Sequence, residues 1–504
     1  MKLNLLTDPL IQSDRGRHSL PGLMAAMARG EVAAFPALRP HQRPAWHMFL
    51  AQLATLALAA AGRRDLPEAE ADWAAALRAL TPGHPDDAPW HLVVEDRSKP
   101  AFLQPADPGG LKWSDVPTPD ALDMLITARN HDLKTRVAQE AAPQDWIFAL
   151  VSVQTMEGFG GAGNYGIARM NGGSSSRVVL SVAPADDASS VIDPSRWWGR
   201  DVRRLLAARA GAAGKALIWI EPWPEGRSLP LDALDPLFVE VCRRVRTVVR
   251  DGALAAERST SKAVRIAGKE AKGVICDQGD PWAPVHIAEA KTLTLGERDW
   301  TYRLLVELLY GGDWRLPPLA RPDAAEERAP MVIVAEAFAR GNSRTDGFRS
   351  RIIPVPKGVV PELFGERAVS LADAQIEDIA RVDRALRDGL ALVAAEGDYE
   401  KRGKEEYARA APARAAFQRF ADRHFFDALW QQMQSEGEEG RARVRLAFIA
   451  KLSMAAEDEF HRALPAIPCA RIMRTRAELR GARELKSGLR KTRETITGRE
   501  AVHA

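Results

Sequence analysis

Residues 370–395 read SLADAQIEDIARVDRALRDGLALVAA, and the period of that stretch decides the fold class of everything after it. Ser370-Leu-Ala-Asp373 has the form of a capping box. Ile376, Ile379, Val382, Leu386, Leu390 and Val393 then recur every three or four positions, the spacing of a single helical face. Working outward, Phe417, Phe420, His424 and Ala428 form a second stripe flanked by Phe425 and Leu429, and Gly437 and Gly440 break the chain. Val444, Phe448, Leu452, Ala456, Phe460 and Leu464 mark a third helix, and a fourth is expected from about Arg471 to Arg493. Four antiparallel helices on short connections make a bundle.

Upstream the texture changes. Lys2 to Leu6 and Leu10-Ile11 read as strand, Met48 to Ala61 as a helix with Arg63-Arg64 at its cation-favouring end, and Gln144 to Thr155 as another helix. Met331 to Phe338 and Phe348 to Val355 are strand-like runs separated by Arg340-Gly-Asn-Ser-Arg344-Thr-Asp-Gly347, so they predict a β-hairpin with a polar, basic tip. The expected class is α+β, with a large mixed N-terminal domain over residues 1–365 and a C-terminal four-helix bundle over 366–504.

Composition narrows the function. The chain has 504 residues, 46% of them hydrophobic and 27% charged, the profile of an ordinary globular protein with two or three domains. The most apolar segment, Phe49 to Ala61, falls short of the roughly 20 residues that a bilayer requires. Met1-Lys-Leu-Asn-Leu-Leu runs into Thr7-Asp8-Pro9 without the pattern of a signal peptide, so a cytoplasmic location with no membrane partner is expected. Cys242, Cys276 and Cys469 stand alone and make neither a disulfide framework nor a zinc site. Net charge is only +3, but it is uneven. Ten basic residues face four acidic ones from Arg471 onward, and five face one, Asp346, between Arg340 and Lys357.

Four segments carry candidate chemistry. Gly158-Phe-Gly-Gly-Ala-Gly-Asn-Tyr-Gly166 contains a G-x-G-x-x-G at Gly161, Gly163 and Gly166, with Asp186 downstream. A dinucleotide site also needs a strand before the motif and a helix opening at its last glycine, and neither flank reads that way. A Cβ-free loop with Arg169 and Arg177 can instead lay its backbone against a polyanion or a groove floor. The hairpin tip carries Asn342 and Arg344, which can hydrogen-bond base edges in a groove. Lys272 precedes the corner Gly279-Asp-Pro-Trp282, and Thr127-Ala-Arg-Asn-His-Asp-Leu-Lys-Thr-Arg136 is a polar loop with three basic residues. There is no P-loop, no G-x-S-x-G and no H-E-x-x-H, and the ten histidines lack metal-ligand spacing, so neither cofactor nor catalysis is expected. Two readings stay open beside nucleic-acid binding. One is a nucleotide-dependent enzyme using the Gly161 to Gly166 loop, and the other a helical scaffold with no nucleic-acid affinity.

At these same segments, and over essentially its whole length, the chain resembles the CasA large subunit of the type I-E CRISPR Cascade complex. Leu3-Asn-Leu-Leu-Thr-Asp-Pro9 is similar to that family's opening strand, Pro100-Ala-Phe-Leu-Gln104 to its proline-aromatic-glutamine piece, and Arg423-His-Phe-Phe426 to part of its bundle. The resemblance implies a non-enzymatic subunit that recognises the target-flanking motif in duplex DNA through the minor groove and starts unwinding. It would hold the duplex with Gly158, Gly160, Gly161, Gly163, Asn164, Arg169, Lys272, Arg340, Asn342, Ser343 and Arg344. Asn130, His131 and Lys134 would lie in a second loop that contacts nucleic acid. Asn342 stands where the family's wedge commonly has glutamine, and the cysteine zinc knuckle of some relatives is missing. The implied partners are the other Cascade subunits, the 5′ handle of the CRISPR RNA, the double-stranded target and an effector helicase-nuclease.

Overall fold

Prolines and side-chain caps fix where the first helices begin. The computed structural model describes residues 3–123, 141–170, 176–186, 191–209, 211, 213–268, 280–324, 326, 329–341 and 344–503, with side chains given except at 340, 341, 344–346 and 496–503. Helix α1 (Leu20–Ala28) has Pro21 in its first turn, with the Ser19 hydroxyl accepting from the Gly22 N–H. Helix α2 (Arg43–Ala60) has Pro44 in its first turn and is buried from there through Leu58, the mark of a helix surrounded on every side. Around it lie α3 (Glu70–Ala79), α4 (Pro143–Thr155) and α5 (Pro194–Ala208), the last capped by Asp193. Trp46 meets Phe148, and Phe102 meets Phe49 and Trp219, edge to face in this core, while Trp46 and Phe49 stack.

The strands are short. Strands β1 (Ile11–Ser13) and β2 (Gly16–His18) form a hairpin. β3 (Ser114–Val116) belongs to a sheet ordered β3-β8-β7, and β4 (Val179–Pro184) to one ordered β13-β12-β4. β5 (Lys215–Leu217) pairs in parallel with β6 (Leu234–Val239), and β7 (Arg244–Arg250) turns into β8 (Ala253–Ser259). β9 (Val285–His286), β10 (Lys291–Thr292) and β11 (Trp314–Arg315) make a small sheet, and β12 (Met331–Gly341) with β13 (Arg344–Val355) is the hairpin that the two strand-like runs predict.

The described chain divides into two compact units. One comprises Met1–Trp300 with Gly312–Pro354, and the other Thr301–Gly311 with Val355–Ala504. The second unit is the helical bundle, and it takes in α6 (Tyr302–Tyr310), which the 365/366 division leaves in the first domain. Tyr302 explains the capture, because its ring stacks on Phe425 at 4.7 Å and its hydroxyl donates to Gln418 Oε1 at 3.0 Å. Helix α7 (Glu366–Ala394) starts one turn before Ser370, with Gly365 at the N-cap, so Ser370 lies inside the helix. After the short α8 (Lys404–Arg409) come α9 (Ala411–Gln434), α10 (Gly437–Ala463) and α11 (Arg474–His503). In α9 the buried stripe is Phe417, Ala421, Phe425 and Leu429, whereas Phe420 and His424 are half-buried beside each other. Asp378 of α7 is buried and gripped by Arg445 of α10 at 2.7 and 2.9 Å. No helix among the described residues is long and apolar enough to cross a membrane.

Helices α7 and α11 meet backbone to backbone. A Cβ on Gly481 would sit 2.5 Å from Val393 Cγ2 and 2.7 Å from the Gly389 carbonyl oxygen, and one on Gly488 would sit 2.6 Å from Ala385 Cβ. Overpacking of this kind costs about 1–3 kcal/mol. Gly481→Val is therefore predicted to lower the unfolding free energy of the bundle by that amount in urea titration; an unchanged midpoint would mean that the helices are not in close contact there.

Candidate nucleic-acid interface

The glycine-rich loop begins where α4 is nailed to the β6–β7 connection. Gln154 Oε1 accepts from the Cys242 and Arg243 N–H groups at 3.0 and 2.8 Å, and its Nε2 donates to the Leu103 and Arg243 carbonyls. Arg243 then reaches back, donating to the Gly158 carbonyl at 2.8 Å and pairing with Glu157 at 3.1 Å. Inside the loop the Gly160 N–H donates to Asn164 O and the Asn164 N–H to Gly161 O, closing a tight turn that Ser261 holds from outside through the Gly163 carbonyl. Gly163 has φ +77°, and a Cβ there would strike Thr260 at 2.7 Å. Gly161 has φ +117° with nothing within 4 Å of a built Cβ, and Gly160 is exposed, so the turn offers bare backbone outward. Helix α4 precedes the motif, and one 3-10 turn, Ala168–Met170, follows it. The strand and the helix of a dinucleotide site are both missing from these flanks.

The two arginines beyond the loop have structural jobs. Arg169, expected as a DNA contact, is 1% exposed. Its guanidinium lies 4.0 Å from the Phe238 ring centroid, donates to the Pro236 and Phe238 carbonyls and stands 4.0 Å from Glu240, so burial corrects that assignment. Burial pushes the Glu240 carboxyl up to about 7, against the pull of Arg169. Arg177 is buried as well. It makes a two-pronged contact with Asp280 at 2.9 and 2.9 Å, donates to Gln52 Oε1 at 3.0 Å and lies over Trp282. Asp280 and Trp282 thus hold Arg177.

Ser176 and Arg177 form a junction for three of the four candidate segments. Glu157 bridges to Ser176, and the Arg177 N–H donates to Met156 O, which fixes the start of the glycine loop. The Phe338 N–H of β12 donates to Ser176 Oγ at 2.7 Å, three residues before Gly341 at the hairpin tip. Asp280 ends the segment 269–279, and Gly268 begins it so close to Ala168 that a Cβ would come within 2.6 Å. Residue 336 adds a further anchor, since buried Glu336 accepts from Ser350 and pairs with Arg43 at the start of α2. Lys272, Asn342, Ser343, Asn130, His131 and Lys134, and the side chains of Arg340 and Arg344, lie outside the described residues. The segment 124–140 is bracketed by Asp123, held by His41 at 2.6 Å, and by Ala141, two residues before α4.

Beside the glycine loop a cleft of ≈ 640 Å³ opens between Gly160, Asn164, Asp123 and the β3-β8-β7 sheet. Sequence reasoning missed Arg243, the clamp of the loop; its signal is the run Arg243-Arg-Val-Arg246, too basic for a strand unless its charges are turned inward onto carbonyls. Arg244 and Arg246 do turn inward, onto Trp223 O and onto Lys99 O and Val94 O.

Burial alone would raise the Asp280 carboxyl, and the charge and hydrogen bonds of Arg177 hold it below its usual value. A carboxyl depressed in the folded state contributes stability above its unfolded value, about 3.9, and loses it as pH falls through the folded one. Asp280→Asn leaves Arg177 buried without its counter-charge and is predicted to cost about 3–5 kcal/mol at neutral pH. The gap from wild type should narrow only below about pH 4. Equal denaturation midpoints at pH 7 would refute the pairing.

No family model matches the sequence, and no curated protein matches it either. Solved structures do. The fold superposes on the CRISPR-associated protein Cse1 of Acidimicrobium ferrooxidans with a TM-score of 0.66 at 17% identity, covering 98% of this chain and 99% of that one. For CasA (Cse1) of Thermus thermophilus the values are 0.63, 16%, 97% and 99%. A chain of a structure described as a CRISPR RNA-guided surveillance complex matches at 0.50 and 13%, covering 98% and 99%. From end to end, this chain has the Cse1/CasA fold.

Proposed function

We propose that this chain is the large subunit of a type I-E CRISPR RNA-guided surveillance complex and that it reads the target-flanking motif in duplex DNA through the minor groove. The observation that supports this most is the junction at Ser176–Arg177, from which the glycine loop, the Lys272 segment and the hairpin tip all depart. Each brings a different capability. The bare backbone at Gly160 and Gly161 can lie flat on a groove, Lys272 can reach acceptors on its floor, and Asn342 at the tip, flanked by Arg340, Ser343 and Arg344, can part the first base pair. Minor-groove acceptors barely distinguish A·T from T·A, so several flanking motifs should be tolerated. Unstacking one step costs a few kcal/mol, which phosphate contacts offset.

Beyond the motif, guide pairing reads the sequence, as in other RNA-guided systems. The chain acts without catalysis of its own. Its partners are the remaining complex subunits and the 5′ handle of the CRISPR RNA, with Asn130, His131 and Lys134 as further nucleic-acid contacts, and it recruits a helicase-nuclease to the opened target. The fold match to a chain of a CRISPR RNA-guided surveillance complex supports this assembly.

Co-expression with its genomic neighbours should yield a complex that contains a small RNA; isolation of the chain alone, without RNA, from such cells would count against the assembly. Within the complex, Lys272→Ala is predicted to weaken binding to motif-bearing duplex. Asn342→Ala should mainly slow strand opening and be rescued by a pre-melted target. If both variants open a fully paired target at the wild-type rate, the site is assigned wrongly.

A further inference from the structure

The charges around the cleft behind the glycine loop do not cancel. Its two acids are already engaged, Glu157 by Arg243 at 3.1 Å and Asp123 by His41 at 2.6 Å and Gln42 at 2.9 Å. Two of its cations are committed as well, because Arg243 clamps the loop and Arg244 donates to Ser261 Oγ and Trp223 O while stacked 4.1 Å over the Trp223 ring. Lys112 and Arg258 differ. Both line the cleft, both are exposed, and among the described residues neither side chain enters an ion pair or a hydrogen bond. They share one rim, since Arg258 lies opposite Ser114 in the β3–β8 register and the Ser259 hydroxyl donates to the Lys112 carbonyl at 2.9 Å. Ser114 and Thr260 line the same space.

We infer that Lys112 and Arg258 bind the phosphate backbone of duplex DNA in this cleft, beside the glycine loop. The inference rests on the nucleic-acid reading above and extends it to residues outside the three converging segments. A volume of ≈ 640 Å³ suits a piece of a strand. The α-helix N-terminus that commonly seats a free nucleotide's phosphates is not found at this loop among the described residues. Two exposed cations beside hydroxyl donors match instead a strand passing across the mouth, where phosphate contacts position the duplex without reading it.

The test uses the full chain and short mixed-sequence duplexes with and without a flanking motif, titrated between about 50 and 200 mM salt. Each phosphate contact contributes about −0.9 to the slope of log affinity against log salt. The double variant Lys112→Ala/Arg258→Ala is expected to flatten that slope by about 2, with affinity falling by the same factor on both duplexes and an unchanged thermal midpoint. Lys272→Ala, run beside it, should weaken the motif duplex selectively. A variant with the wild-type slope, while the wild type binds salt-dependently, overturns the cleft assignment and leaves the groove-reading site standing. Absence of any salt-dependent binding by the wild type overturns both. Tight binding of ATP that the double variant loses would assign the cleft to a free nucleotide and refute the inference.

Discussion

The arrangement of the candidate site depends on one buried ion pair, Arg177 with Asp280. Both side chains are almost fully withdrawn from solvent, at 2% and 0% exposure. Such a pair is a poor source of net stability, because desolvating two charges offsets most of their attraction and an apolar pair of similar volume can serve as well. What it supplies is direction. A planar guanidinium meeting a carboxylate with two parallel hydrogen bonds fixes an angle as well as a distance. Here that angle relates the end of the glycine loop to the end of the 269–279 segment, and Gln52 ties both to the central helix α2.

Arginines do two kinds of work in this chain. Arg169, Arg177, Arg243, Arg244, Arg246 and Arg265 are buried and spend their donors on carbonyls, carboxylates or aromatic faces. Strands and loops that lack regular pairing leave carbonyls that need a donor, and a five-donor side chain can satisfy several at once. Arg169 satisfies carbonyls of β6 in this way, and Arg244 and Arg246 tie β7 to neighbouring loops. The consequence for function is that basic character read along the chain overstates the positive surface. Only cations that keep their donors free are available to a polyanion.

That division explains what was legible beforehand. The helical bundle was, because a period of three to four survives in α7 and α10 whatever packs against them, and the hairpin was, because two strand-like runs around a cluster of turn residues are a local property. The start of α7 was misplaced by a turn, since Ser370 has the chemistry of a cap but Gly365 occupies that position. Membership of α6 in the bundle turns on Tyr302 meeting Phe425, a long-range contact that no local window contains. Arg169 illustrates the same limit in the site itself. Glycines and serines around it suggest a surface loop, but the chain dives inward at Ile167, which is fully buried, and carries the arginine with it. The anchors of the site at Ser176, Asp280 and Phe338 are separated by many residues, so their convergence is a fact of tertiary structure alone.

The central claim is that the Lys272 segment and the hairpin tip address one stretch of minor groove. It is tested most directly by tethering a hydroxyl-radical source at residue 272 or 342, through Lys272→Cys or Asn342→Cys, and mapping cleavage of motif-bearing duplex in the assembled complex. The account predicts cuts from both positions within the same half-turn beside the motif, offset across the strands as minor-groove cleavage requires. Cuts centred a full turn or more apart, or cleavage from only one of the two positions, would contradict it.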